Sequence, residues 1–160
     1  MFDLKWLFST RRGVSGASTE ESVKVNDNVM LLAITHVRED QEALRQIAAG
    51  FGWDISIVDS SERAIALLRR HPVPLVICDR DLPGENWREA LARIASLPQS
   101  ICVLLASGVV DEYLWNEVVQ NHGYDVVTKP FRKDDVKRAV TFAWSWSGWA
   151  SGRGAEAGTK

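Results

Sequence analysis

Five short apolar segments recur between residues 29 and 128, and a stretch with helical spacing of apolar residues follows each of them. Three of these segments are continuous apolar runs, which are typical of strands buried on both faces of a sheet. The segment at 55–58 alternates apolar and polar residues, as an outer strand does. We predict strands at 29–34, 55–58, 75–78, 101–106 and 124–128.

The stretches between and after these strands predict five helices, because their apolar residues lie three or four positions apart. Residues 59–62 offer N-caps for the second helix, while Pro98 ends the third and Gly123 ends the fourth. We predict helices at about 38–49, 62–71, 86–97, 111–121 and 133–146.

Strands that alternate with helices require a parallel sheet covered on both faces, with right-handed crossovers. We therefore predict an α/β fold with a doubly wound, five-stranded, flavodoxin-like sheet in the order 2-1-3-4-5. In this order the carboxyl ends of the strands line a crevice at the point where the strand order reverses. We expect that crevice to be lined by Thr35, His36, Asp79, Ser107 and Lys129.

Composition and charge argue against nucleic-acid binding and membrane insertion but indicate no particular activity. The 160 residues are 46% hydrophobic and 25% charged, which is ordinary for one globular domain with tails. The net charge of −2 gives no footprint for nucleic acid.

No apolar run approaches the roughly 18 residues that span a bilayer, and charges interrupt the N-terminal apolar stretch, so we expect a cytoplasmic protein. Cys78 and Cys102 lie in predicted strands and are expected to be buried free thiols.

The chain divides into three parts. Residues 1–27 comprise an apolar patch and a polar, flexible linker; residues 28–147 form the folded domain; residues 148–160 are a Gly-rich tail that we expect to be disordered. Two alternatives remain open for the apolar patch. It is either a frayed terminus or a small amphipathic segment that docks on the body or on a partner.

Three residues of the crevice suit phosphoryl chemistry. Asp79 supplies a carboxylate nucleophile, and Ser107 and Lys129 supply donors for phosphoryl oxygens. Singly, each is weak evidence, since a serine after a strand is usually part of a turn and a lysine before proline is usually solvated. Their order and their placement at strand ends carry the prediction.

These motifs resemble the receiver domain of bacterial two-component response regulators. The resemblance covers residues 29–144 and rests on Asp-x-x-x-Pro-Gly at 79–84, Ser107 28 positions after Asp79, and Lys-Pro-Phe at 129–131. It implies that Asp79 accepts a phosphoryl group from a histidine kinase, that Ser107 and Lys129 contact that group, and that the Lys129–Pro130 bond is often cis.

One departure from the family concerns the metal. Receivers carry an acidic pair after the first strand to hold Mg²⁺, and here those positions are Thr35 and His36. Imidazole is a poor ligand for a hard ion such as Mg²⁺. The resemblance implies a further ligand in the backbone carbonyl of Arg80 or Asp81. A rearranged site that uses Asp79 and Asp81, a transition-metal site at His36, and no site at all remain open. We expect weakened metal binding and slower phosphorylation.

A second departure concerns signal output. Receivers usually place an aromatic residue three positions before the lysine, and that position is Val126 here. Tyr124 is expected to share the face of Val126 without replacing the aromatic residue. The usual coupling between hydroxyl and aromatic residue is therefore expected to be absent.

The last predicted helix is rich in aromatic residues, and these form a candidate interface. Large aromatic side chains beyond the needs of one core face are typical of protein interfaces. The alternatives are a surface for a partner or a second copy, or packing on the body or on the N-terminal patch. The residues are Phe142, Trp144, Trp146 and Trp149.

The resulting hypothesis is a stand-alone, atypical receiver domain. It is expected to act in phosphorelay signal transduction through contacts with a histidine kinase or another signalling protein, with no enzyme activity and with phosphorylation at Asp79 weakened or lost. The alternatives are a conventional phospho-accepting receiver and a haloacid dehalogenase-type phosphatase. Against the phosphatase, the Asp-x-Asp motif at 79–81 ends the third strand rather than the first, and Asp134 and Asp135 fall at a helix start.

Overall fold

The computed structural model describes residues 28–147, which form a single parallel sheet covered by helices on both faces. The five strands, numbered in chain order, lie in the order 2-1-3-4-5, as predicted. The strands are β1 (Met30–Ile34), β2 (Asp54–Val58), β3 (Leu75–Asp79), β4 (Cys102–Ser107) and β5 (Asp125–Thr128). The helices are α1 (Arg38–Phe51), α2 (Ser61–Arg70), α3 (Trp87–Ala95), α4 (Glu112–Gln120) and α5 (Lys133–Ser147).

The helix ends follow local side-chain chemistry. The side chains of Ser60, Asn86 and Asp111 accept hydrogen bonds from backbone N–H groups in the first turns of α2, α3 and α4. Gly52 ends α1 at a φ of 73°, a left-handed conformation that glycine adopts without strain. The sequence therefore predicted most boundaries to within two residues.

The core is divided by the sheet into two clusters, because successive strand residues point to opposite faces. In β1, Leu32 and Ile34 face the cluster beneath α2, α3 and α4, while Leu31 and Ala33 face the cluster beneath α1 and α5. Every residue of β3 is buried. The central strand thus lies between two apolar layers and delivers Asp79 to one edge of the sheet.

Two predictions about individual side chains need correction. Tyr124 was expected to share the face of Val126. Instead, Tyr124 packs on the cluster beneath α1 and α5, and Val126 packs on the cluster across the sheet. The alternation failed because β5 begins only at Asp125, so Tyr124 lies outside the strand. Trp144 was proposed as an interface residue, but it is buried at 6% exposure among the side chains beneath α5.

Other expectations fall partly outside the described residues. The N-terminal patch and linker at 1–27, the tail at 148–160 and Trp149 all lie there. On α5, Trp146 is 69% exposed and Phe142 is half-buried, so these two residues remain candidates for an interface. Cys78 and Cys102 are free thiols, as expected, but only Cys78 is fully buried, whereas Cys102 is half-buried.

Candidate functional site

The parallel register brings the carboxyl ends of the strands to one edge of the sheet. Asp79 is the last residue of β3 and pairs with Ala106 of β4, while Ser107 pairs with Thr128 of β5. Lys129 follows β5 directly, and its bond to Pro130 is cis, as the resemblance implied. Asp79, Ser107 and Lys129 therefore come to a common edge of the sheet, as predicted.

Asp79 is the centre of this edge and is only 1% exposed. Its Oδ2 accepts hydrogen bonds from Thr35 Oγ1 at 3.0 Å and from Lys129 Nζ at 3.1 Å. Its Oδ1 accepts from the backbone N–H of Asp81 at 3.1 Å and from Lys129 Nζ at 3.2 Å. A buried carboxylate requires such partners, since an unpaired charge in the interior is strongly unfavourable. Here both oxygens are satisfied by groups of the chain itself.

Lys129 is shared between two carboxylates. Besides Asp79, its Nζ contacts Oδ2 of Asp40 at 2.8 Å, and the side chains of Lys129 and Asp40 are only 17% and 15% exposed. Burial alone lowers the pKa of Lys129, but the hydrogen bonds to Asp40 and Asp79 outweigh it, so the pKa is raised above its ordinary value. The ammonium form is therefore the stable one at this site.

Asp40 is a site residue that the sequence did not reveal. It lies in the first turn of α1, where an acid is common because it stabilises the helix N-terminus. Nothing in the pattern distinguishes it from Glu39 beside it. Its contact with Lys129 joins positions 89 apart in sequence, which only the fold brings together.

Ser107 reaches the predicted edge, but its hydroxyl is engaged elsewhere. The Oγ donates to the carbonyl of Val109 at 2.7 Å and accepts from the N–H of Val109 at 3.1 Å. The guanidinium of Arg80 also donates to this oxygen, at 3.4 Å. Ser107 therefore closes the turn after β4, with the guanidinium of Arg80 beside it, whereas the resemblance had pointed only to the backbone carbonyl of Arg80.

The positions of the missing acidic pair do not fit a magnesium site. Thr35 is buried and donates its hydroxyl hydrogen to Asp79, and His36 is exposed. Asp81 reaches Asp79 only through its backbone N–H, and its side chain is exposed. Among residues 28–147, no three or more His, Cys, Asp or Glu side chains are grouped so that they could hold a metal ion. Positions 35 and 36 therefore lack the carboxylates that normally anchor Mg²⁺.

Comparison with known proteins identifies the family. The family model described as "Response regulator receiver domain" matches residues 21–141. The chain belongs to the response regulator receiver domain family. Its fold, with five parallel strands in the order 2-1-3-4-5, is that of receiver domains. The family places the chain in two-component signalling and leaves no support for the dehalogenase-type alternative.

Individual relatives share this domain at low identity. The fimbriae Z protein of Salmonella typhimurium is 30% identical over 98 residues, which cover 59% of this chain and 47% of that protein. The signal receiver domain of an HD domain-containing protein from Pseudomonas fluorescens Pf-5 is 21% identical, with a TM-score of 0.68, covering 76% of this chain and 98% of that one. The chain spans about half or less of the length of the curated relatives it matches.

A third match comes from a complex. It is the Saccharomyces cerevisiae co-crystal of the histidine phosphotransfer protein Ypd1 and the receiver domain of its downstream response regulator Ssk1. The similarity is 13% identity at a TM-score of 0.64, covering 71% of this chain and 87% of that one.

None of the helices within 28–147 is long and apolar enough to cross a membrane.

Proposed function

We propose that this receiver domain acts in phosphorelay signalling through protein contacts, and that phosphorylation of its acceptor Asp79 is weakened or lost. The observation that carries the proposal is the environment of Asp79. Its carboxylate pairs with the Lys129 ammonium and accepts a hydrogen bond from the hydroxyl of Thr35, at the edge where the family places two carboxylates and Mg²⁺.

Phosphorylation requires a carboxylate oxygen of Asp79 to attack the phosphorus of a phosphohistidine. The new O–P bond forms as the P–N bond breaks, and the imidazole that leaves takes up a proton. Each oxygen of Asp79 already accepts two hydrogen bonds, so one of them must be released before attack. Charge that develops on the transferred group is normally neutralised by a metal ion as well as by lysine. This chain offers Lys129 and the neighbouring Arg80.

The proposed partners follow from the family. A histidine kinase or a phosphotransfer protein of the kind seen with Ssk1 is the proposed phosphoryl source or docking partner, and the exposed Trp146 on α5 is a proposed contact for a partner or a second copy. We place the domain in the cytoplasm, assign it no enzyme activity and expect no nucleic-acid contact, since the net charge of the whole chain is −2.

The decisive experiment is modification by a small phosphodonor. The protein is incubated with phosphoramidate and Mg²⁺, and covalent phosphate is followed by intact-protein mass spectrometry. Asp79→Asn is the negative control. A gain-of-function variant, Thr35→Asp with His36→Asp, restores the acidic pair at the positions where the family carries it.

We expect slow modification of the natural chain and at least about tenfold faster modification of the restored variant, equivalent to about 1.4 kcal/mol of barrier. A cooperative thermal unfolding transition is the control that the restored variant is folded. Rapid, Asp79-dependent modification of the natural chain, with no gain from the restored pair, would instead establish a conventional receiver.

A further inference from the structure

Asp40 occupies a position in the site that the proposed function does not explain. It lies on α1, whereas Asp79 and Lys129 lie at the ends of β3 and β5. The ammonium nitrogen of Lys129 contacts both carboxylates, at 2.8 Å for Asp40 and at 3.1 Å for the nearer oxygen of Asp79. The two carboxylates therefore lie within about 6 Å of each other, bridged by a single cation.

The two carboxylates and the one ammonium carry more negative than positive charge. Asp40, Lys129 and Asp79, which we term the charge triad, sum to one negative charge when Lys129 is protonated. The side chains of all three are at most 17% exposed, so solvent screens them less than it screens surface ion pairs. Additional negative charge at the charge triad is therefore unfavourable.

We propose that Asp40 is a positioning residue that holds the Lys129 ammonium over Asp79 and opposes the arrival of a phosphoryl group there. The effect on phosphorylation rests on the proposed function, because it takes Asp79 as the acceptor. The positioning of Lys129 does not rest on it.

The opposition arises in two ways. Phosphorylation converts the single charge of the Asp79 carboxylate into a phosphoryl group that carries about two negative charges, so the triad becomes more negative. Lys129 must also turn toward the phosphoryl oxygens, while Asp40 retains one of its three N–H donors. Removal of the Asp40 charge relieves both effects.

The chain provides a matched control. Glu39 lies beside Asp40 in the same first turn of α1, but it is exposed. Asp40→Asn and Glu39→Gln each remove one acid from that turn, and only Asp40→Asn removes it from the ammonium. Two quantities are measured on the full chain. The first is the NMR signal of the Lys129 ammonium, with its pKa and its rate of exchange with water. The second is the rate of phosphoramidate modification of Asp79.

We expect Asp40→Asn to lower the pKa of Lys129 and speed its exchange with water, while Glu39→Gln leaves both unchanged. We expect Asp40→Asn to accelerate modification of Asp79 by at least about threefold relative to Glu39→Gln, because one charge is removed from a poorly screened site. If Asp40→Asn is too unstable to study, Asp40→Glu displaces the carboxylate by one methylene and is compared with Glu39→Asp.

The two proposals can fail separately. Equal behaviour of Lys129 in the Asp40 and Glu39 variants would overturn the positioning role, whatever the rate of phosphorylation. A lower Lys129 pKa with unchanged or slower modification would overturn the opposing role. Fast modification of the natural chain would refute only the weakened-receiver proposal, because the comparison between variants is still decided by Lys129 and by the ratio of their rates.

Discussion

Replacement of Lys129 by methionine tests whether the ion pair with Asp79 determines the stability of this edge of the sheet. Methionine retains most of the aliphatic volume but removes the ammonium, so Asp79 loses two of its four hydrogen-bond contacts. Asp79 is 1% exposed, and water cannot replace those contacts freely.

The expected loss of stability follows from burial. Removal of one partner of a fully buried pair costs about 3 to 5 kcal/mol. The Lys129 side chain is 17% exposed, and Thr35 and the N–H of Asp81 still bind Asp79, so we expect a smaller loss of about 2 to 3 kcal/mol. Asp79→Asn leaves Lys129 with Asp40 and should cost only about 1 kcal/mol.

Urea unfolding of the two single variants and the double variant measures the coupling. We expect the double variant Lys129→Met with Asp79→Asn to be more stable than Lys129→Met alone, because the unpaired charge of the buried Asp79 is gone, whereas Asp40 lacks the ammonium in both variants. Additive losses, with no recovery in the double variant, would refute the reasoning that charge pairing controls this site.

Three further predictions concern other parts of the structure. Trp144→Ala should cost about 3 to 5 kcal/mol by urea unfolding, whereas Trp146→Ala should change stability little and should lower self-association in sedimentation if that surface joins two copies. Asp111→Ala removes the N-cap of α4 and should cost about 1 kcal/mol, with Asp111→Asn much closer to the natural chain. The folded pKa of Lys129 lies above 10.5, so its stabilisation is complete below that pH and is lost as the pH rises through the folded pKa; the difference in urea midpoint between the natural chain and Lys129→Met should shrink only in alkali.

The sequence determined the architecture well because its signals are local. Continuous apolar runs located the buried strands, and the cap residues at 59–62 located the start of the second helix. The placement of Asp79 and Lys129 at one edge followed from the strand order alone. These predictions needed no knowledge of any side-chain contact.

The details of the site were less accessible from sequence because they depend on side-chain direction and on distant contacts. Ser107 was placed correctly, but its hydroxyl closes a local turn. Asp40 could not be distinguished from Glu39, since both favour a helix N-terminus equally. Tyr124 was assigned to the wrong face because the start of β5 was predicted one residue early.

Central to the proposed function is that Asp79 pairs with the Lys129 ammonium and accepts a hydrogen bond from Thr35, rather than binding a divalent cation. The most direct test is the rate of Asp79 phosphorylation by phosphoramidate, measured on the natural chain as Mg²⁺ is increased. We predict a slow rate that changes little with Mg²⁺, because the acidic pair is replaced by Thr35 and His36. A rate that rises steeply with Mg²⁺, reaches a plateau and disappears in Asp79→Asn would contradict it.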